Sequence, residues 1–120
     1  MKTIVAGSRS ITNIDTVMQA IKDCPWKITQ IVSGTASGVD QLGELCAEQL
    51  GIYVKQFPAD WGTYGNSAGY IRNREMAKYA DAVIIVYDGK SKGTKHMWDI
   101  ALQMQLPVFV VDENVGTLSI

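Results

Sequence analysis

Short runs of β-branched residues alternate along the chain with longer stretches in which apolar residues recur every three or four positions. The β-branched runs predict five strands: Lys2–Ala6, Ile28–Ser33, Ile52–Phe57, Ala82–Tyr87 and Pro107–Val111. The last two are apolar at nearly every position, which is typical of parallel strands that are covered on both faces.

Four stretches between these strands have the spacing of amphipathic helices. Apolar stripes begin at Ile14, Val39 and Met97, and a less regular one covers the stretch from about Ser67 to Ala80. Strands that alternate with helices require crossover connections, which make the strands parallel and place the helices on the faces of the sheet. We therefore predict an α/β fold, a three-layer sandwich with about five mainly parallel strands, in a single domain spanning residues 1–120.

Composition narrows the class of protein. The chain has 120 residues, of which 47% are hydrophobic and 19% charged, so it has the size and the apolar content of one folded domain. The longest apolar run, Ala82–Tyr87, is far shorter than the roughly 20 residues that span a bilayer, so no membrane partner is expected. The apolar start of the chain is interrupted at Gly7, so no secretory signal is expected. The two cysteines have no CxxC spacing, which favours reduced thiols in a cytoplasm.

The segments that follow the strands carry the candidate chemistry, because ligands of an open parallel sheet bind beyond the carboxyl ends of its strands. Gly7, Ser8 and Arg9 follow the first strand. They offer a close backbone approach, a hydroxyl group and a guanidinium that can hold phosphate. A strand-to-helix turn with a solvated arginine is the alternative.

The second strand is followed by Ser-Gly-Thr-Ala-Ser-Gly-Val-Asp at residues 33–40, which leads directly into a helix. Small residues there expose backbone N–H groups at the positive end of the helix, where anions bind. Helix capping by Ser37 or Asp40 is the alternative, but it explains only one or two of these residues. The pattern therefore favours an anion site.

Two further connections extend this edge of the sheet. Residues 88–96 contain three lysines and small residues before a helix, typical of an anion-binding loop or of a solvated loop capped at Thr94. Residues 59–73 form a connection longer than most, in which Trp61 or Tyr64 could stack on a base or close the core. Asn73 leads an apolar helix stripe and needs a partner there, either a ligand or a helix terminus.

The predicted ligand-binding residues all lie at the carboxyl edge of the predicted sheet. They are Gly7, Ser8, Arg9, Ser33, Gly34, Ala36, Gly38, Asp40, Arg72, Asn73, Ser91, Gly93 and Thr94. The pattern identifies no catalytic residue and no metal site, since His96 is the only histidine. Asp40 and Glu44, one helical turn apart, allow Mg²⁺ to accompany a nucleotide ligand.

Four motifs in this order resemble the SLOG superfamily of Rossmann-like nucleotide-binding proteins, and within it the YspA or cpYpsA-related branch of bacteria and their phages. The motifs are Gly-Ser-Arg at residues 7–9, residues 33–40, Arg-Asn-Arg-Glu-Met-Ala-Lys-Tyr-Ala-Asp at residues 72–81, and Ser-Lys-Gly-Thr at residues 91–94. The resemblance runs from Ile4 to about Val111. It implies a Rossmann-like sandwich that binds a nucleotide-derived small molecule such as NAD or ADP-ribose, as a sensor, a sequestering protein or a processing enzyme in a bacterial or phage-infected cytoplasm.

One relative suggests an enzyme. The LOG phosphoribohydrolases cleave the N-glycosidic bond of a nucleoside monophosphate, and the resemblance places Arg72 and Asn73 at their arginine and lysine. Met97 stands where their catalytic glutamate lies, and methionine cannot accept a proton. An enzyme of this class would have to use another carboxylate, namely Asp40, Glu44 or Asp60.

A second relative suggests a nucleic-acid function. DprA, a recombination mediator that binds single strands, has a motif matched by residues 33–40. Such binding calls for a charged groove with stacking aromatics, and the net charge of −1 gives it little support, so nucleic acid is not expected as a partner. Both relatives self-associate, so a homodimer is implied by analogy alone.

Overall fold

The structure, a computed structural model, describes residues 1–113 and 116–118 and contains one sheet with helices on both faces. The strands are β1 (Lys2–Gly7), β2 (Gln30–Ser33), β3 (Tyr53–Gln56), β4 (Ala82–Tyr87), β5 (Val108–Asp112) and β6 (Gly116–Leu118). The helices are α1 (Ile14–Asp23), α2 (Val39–Leu50), α3 (Trp61–Tyr64), α4 (Ala68–Tyr79) and α5 (Lys92–Gln103), and a short 3₁₀ turn covers Gly65–Ser67. The predicted α/β fold is confirmed.

The strand order is β3-β2-β1-β4-β5-β6, with the first five strands parallel and β6 antiparallel to β5. After β3 the chain crosses to the other side of β1 and forms β4. The direction in which strands are added therefore reverses between β1 and β4. Open sheets of this kind bind ligands in the crevice beyond the carboxyl ends of the strands at such a reversal.

Each face of the sheet buries its own core. On one face, α4 and α5 pack against side chains that include Ile85, with Met97 among the helical contributors. On the other face, α1 and α2 pack against side chains that include Ile84, with Val17 among the helical contributors. Ile84 and Ile85 are neighbours in β4 and are both fully buried, because successive side chains of a covered parallel strand point to opposite faces.

The structure departs from the predicted pattern at a few places. β6 was not predicted, since three residues are too short for a recognisable alternation. Trp61–Tyr64 is helical where a loop was expected, because the Asp60 carboxylate accepts a hydrogen bond from the Thr63 backbone N–H (3.1 Å) and caps the turn. Within the described ranges, no helix has the length and apolar character needed to cross a membrane.

Candidate functional site

A cavity of about 420 Å³ opens at the carboxyl edge of the sheet, over β1 and β4. It lies where the strand order reverses, and the loops after β1, β2 and β4 contribute to its wall together with α3 and α4. The predicted ligand-binding residues that line it are Gly7, Arg9, Ala36, Asp40, Arg72, Asn73, Ser91, Gly93 and Thr94. The structure thus brings together residues from four separate segments of the chain.

The other predicted residues stand behind this wall. Ser8 is buried and its Oγ accepts a hydrogen bond from the Asp88 backbone N–H (3.1 Å). Ser33 is also buried, and its Oγ donates to Glu44 Oε2 (2.6 Å). The carbonyl of Gly34 accepts a hydrogen bond from Arg72 Nη1. These three residues support the site through neighbours instead of lining it.

Gly38 allows the first two loops to approach each other. Its φ of +78° lies in the region that favours glycine, and a Cβ there would lie 2.5 Å from the Cα of Arg9. The backbone of Val39 then donates to the carbonyl of Ser8 (3.4 Å). Glycine at this position therefore keeps Arg9 beside the start of α2.

Asp88 organises the loop between β4 and α5. Its carboxylate accepts hydrogen bonds from the backbone N–H groups of Lys90 (2.8 Å) and Ser91 (3.0 Å) and from Ser10 Oγ (2.8 Å). The Lys90 N–H and the Ser10 hydroxyl hold the pKa of Asp88 well below its usual range. The loops after β1 and β4 are thereby fixed to each other across the mouth of the cavity.

Asp40 places a buried carboxyl on the cavity wall, only 7% exposed. Burial raises its pKa to about 6, although the hydrogen bond from the Ala36 backbone N–H (3.2 Å) and the charge of Arg72 act in the opposite direction. A carboxyl in this position can exchange a proton near neutral pH. It also reduces the positive charge of the wall when it is ionised.

Arg72 and Asn73 lie side by side on α4 and connect the walls of the cavity. Arg72 Nε donates to Asn73 Oδ1 (3.0 Å), while Asn73 Nδ2 lies 3.4 Å from the Gly93 carbonyl oxygen and 3.2 Å from His96 Nδ1. The sequence left a ligand or a helix terminus as partner for Asn73. The structure shows that its amide bonds to α5 residues and to Arg72.

Aromatic side chains line the outer part of the same cavity. Trp61 is 52% exposed and Tyr70 is 42% exposed, and both belong to its lining, whereas Tyr64 does not. Of the two aromatic residues proposed from the sequence, Trp61 is therefore the one beside the predicted anion site. Tyr70 was missed, and so were Ser10, Asn66, Asp88 and Lys90, although all of these lie in or next to the segments that the sequence singled out.

The three carboxylates considered for catalysis lie in different places. Asp40 lines the cavity, whereas Glu44 lies in a separate groove and accepts a hydrogen bond from Gln56 Nε2 (2.9 Å). Asp60 caps α3. Met97 lies in the cavity floor with 1% exposure, which gives it a packing role. Among residues 1–113 and 116–118, no three His, Cys, Asp or Glu side chains are grouped to hold a metal ion.

The chain is similar in sequence to a phage protein and in structure to two solved DprA proteins, among others. No protein-family model matches the chain. The Gene 61 protein of Mycobacterium phage D29 is 29% identical over 117 residues, covering 89% of this chain and 93% of the phage protein. DNA processing protein A (DprA) from Streptococcus pneumoniae superposes with a TM-score of 0.76 at 20% identity, covering 95% of this chain and 51% of the solved one. This chain thus spans about half the length of that neighbour.

The second neighbour corrects one expectation. DprA from Helicobacter pylori superposes with a TM-score of 0.67 at 21% identity, covering 98% of this chain and 67% of the solved one, and its structure is described for a single-stranded DNA binding mode. The prediction that nucleic acid is not a partner rests on the net charge. It is wrong, because a neighbour with this fold is described for binding single-stranded DNA. A net charge averages over the whole surface, whereas Arg9, Arg72 and Lys90 are gathered at one cavity.

Proposed function

We propose that this protein binds single-stranded DNA by taking one nucleotide of the strand into the cavity at the carboxyl edge of its sheet. The observation that carries this proposal is the meeting of three cations, Arg9, Arg72 and Lys90, with two exposed aromatic side chains in one cavity. Proteins that bind single strands combine a positively charged groove for the backbone with aromatic rings on which bases stack.

Each chemical part of a nucleotide has a matching part of the wall. The phosphate faces Arg9 and the first turn of α5, at the positive end of that helix, where Ser91 Oγ caps the Thr94 backbone N–H. The base stacks on Trp61 or Tyr70 at the outer rim. The flanking nucleotides of the strand remain outside, since about 420 Å³ accommodates a ligand of nucleotide size.

Fluorescence anisotropy with a labelled oligothymidylate at low salt tests the proposal. Trp61→Ala is expected to weaken binding at least about fivefold, because stacking of a base on an aromatic ring contributes about 1–3 kcal/mol. Arg9→Ala is expected to weaken it at least about tenfold, since a hydrogen bond to a charged group contributes about 1.5–3 kcal/mol.

Matched controls come from the opposite end of the sheet. Tyr53 is the first residue of β3 and is 63% exposed, and Lys22 lies in the last turn of α1. Tyr53→Ala and Lys22→Ala remove the same kinds of group and should leave the affinity unchanged. Equal losses in the control and cavity variants, or no binding by the native protein, would reject the proposal.

A nucleotide-derived small molecule, such as NAD or ADP-ribose, is the second candidate ligand. The favouring observation is that three polar residues of the cavity wall, Asp40, Asn73 and Thr94, are buried. A small-molecule site should bind free nucleotide at least as tightly as a strand. A strand-binding site should bind an oligonucleotide of several residues more tightly than the mononucleotide, so competition in the same anisotropy assay separates the two.

A further inference from the structure

The side-chain amide of Asn73 has only one orientation that satisfies its neighbours. The Nε–H of Arg72 can only donate, so the oxygen of the amide must face it, at 3.0 Å. The amide nitrogen then faces the Gly93 carbonyl oxygen, which can only accept, and His96 Nδ1. The direction of each bond is therefore fixed by chemistry from Arg72 through to His96.

This arrangement also selects the protonation state of His96. Because Asn73 Nδ2 donates, Nδ1 of the ring must accept, so the ring proton resides on Nε2 and the imidazole is neutral. A protonated ring carries hydrogen on both nitrogens and would turn an N–H group toward the amide N–H₂ group. Protonation of His96 is thus incompatible with the hydrogen bond from Asn73.

On balance, the surroundings of the ring also favour its neutral form. Burial lowers the pKa of His96, the positive charge of Arg74 on α4 lowers it further, and Asp99 on α5 opposes them. The ring of Tyr70 on α4 packs edge to face against the imidazole, with 4.4 Å between the ring centroids. On α5, Lys95 pairs with Asp99 (3.1 Å), and Lys92 lies one turn before His96.

We propose that His96 and Asn73 are positioning residues for ligand binding, in which the neutral imidazole holds the Asn73 amide and the amide holds the Arg72 guanidinium at the cavity wall. The proposal rests on the proposed function, because Arg72 is the group through which the network would reach the strand. Binding of single-stranded DNA then weakens when His96 is protonated.

A loss of affinity on acidification distinguishes a positioning role of His96 from a simple effect of its charge. Protonation of His96 on acidification adds a positive charge near the cavity, and protonation of Asp40 removes a negative one. Both changes on their own would strengthen the binding of a phosphate chain at lower pH. A loss of affinity at lower pH therefore requires that a positioned group be lost.

Anisotropy titrations that extend from about pH 7.5 down through the titration of His96, whose pKa lies below the ordinary histidine value, compare the native protein with His96→Asn. The asparagine oxygen can accept from Asn73 throughout this pH range, so this variant keeps the network. The native protein should lose about fivefold in affinity relative to His96→Asn on acidification, the equivalent of one hydrogen bond. Identical pH profiles for the two proteins would overturn the proposal.

Asn73→Asp provides a second test. A carboxylate can accept from Arg72 and from His96 throughout this pH range, because the neutral ring can carry its proton on Nδ1 and the protonated ring carries hydrogen on both nitrogens. Its affinity, measured relative to His96→Asn, should therefore not fall on acidification. A profile that still falls like that of the native protein would contradict the role of the amide.

Nuclear magnetic resonance of the free protein separates failure of this proposal from failure of the proposed function. The Nε–H resonance of Arg72 should shift with the titration of His96 in the native protein and lose that shift in His96→Asn, while the resonance of Arg9 should not respond. If Arg72 follows His96 but no oligonucleotide binds, the proposed function fails and the positioning network stands. If Arg72 does not follow His96, the network is rejected whatever binds.

Discussion

Asp40 is a buried carboxyl whose position makes folding less favourable at neutral pH. Its ionised form must leave water for the cavity wall, where burial raises the pKa from 3.8 to about 6. The unfolded chain ionises this group at lower pH than the folded protein does. Between about pH 4 and pH 6 the folded state therefore holds the proton more firmly, and stability decreases as the pH rises through that range.

Asp40→Asn should remove this pH dependence. Relative to the native protein, the variant should gain about 2–3 kcal/mol in its free energy of unfolding between pH 4 and pH 7, as the pKa change implies. Urea denaturation at both pH values measures the shift. A difference that stays constant across this range would show that the carboxyl is not destabilised by burial.

At the level of elements, the site depends on the attachment of one loop to another. Asp88 holds the start of the loop before α5 through Lys90 and Ser91, and holds the loop after β1 through Ser10. Because its pKa lies well below the usual range, the carboxylate stays ionised throughout the pH range of the binding experiments. The loops are therefore ordered before a ligand arrives.

Asp88→Ala should weaken oligonucleotide binding, because the backbone N–H groups of the loop lose their common acceptor. A loss of several-fold is expected, together with about 1–2 kcal/mol of stability from the missing hydrogen bonds. Asp81 offers the matched control, since its carboxylate accepts from the Lys2 backbone N–H (2.8 Å) at the opposite end of the sheet. Asp81→Ala should cost stability and leave the affinity unchanged, as anisotropy would show.

The order of elements and the position of the cavity follow from the sequence pattern. β-branched runs and apolar stripes predict the five parallel strands, and the rule for open sheets places the ligand at their carboxyl edge. The contacts that complete the wall could not be predicted, because they join distant positions: Ser10 and Asp88 are 78 positions apart. The approach of Trp61 and Tyr70 to the same cavity likewise depends on the path of residues 59–73, which no local pattern determines.

For the molecule as a whole, net charge is a poor guide to nucleic-acid binding. The chain carries 11 basic and 12 acidic residues, yet three of its cations surround one cavity. Such a site contacts few phosphates, whereas a broadly basic surface contacts many. The dependence of affinity on salt reports this difference directly, because each neutralised phosphate releases counterions.

The logarithm of the association constant should fall with the logarithm of salt concentration with a slope of about −2, as expected for about three phosphate contacts on a single strand. Affinity would then decrease about fifteenfold between about 50 mM and about 200 mM salt. Anisotropy titrations across that range measure the slope. A slope near zero would indicate that the protein contacts the strand without neutralising phosphates. A slope steeper than about −5 would require a wider basic surface than this cavity offers.

The most direct test of strand binding in this cavity uses the indole N–H resonances of the three tryptophans. Trp61 lines the cavity, whereas Trp26 donates its Nε1–H to Thr3 Oγ1 (3.0 Å) near the opposite end of the sheet, and Trp98 packs against Tyr87 with its Nε1 buried. On titration with an oligothymidylate, the Trp61 resonance should shift to saturation while those of Trp26 and Trp98 remain in place. Saturable binding that leaves Trp61 unmoved, or no binding, would contradict the account.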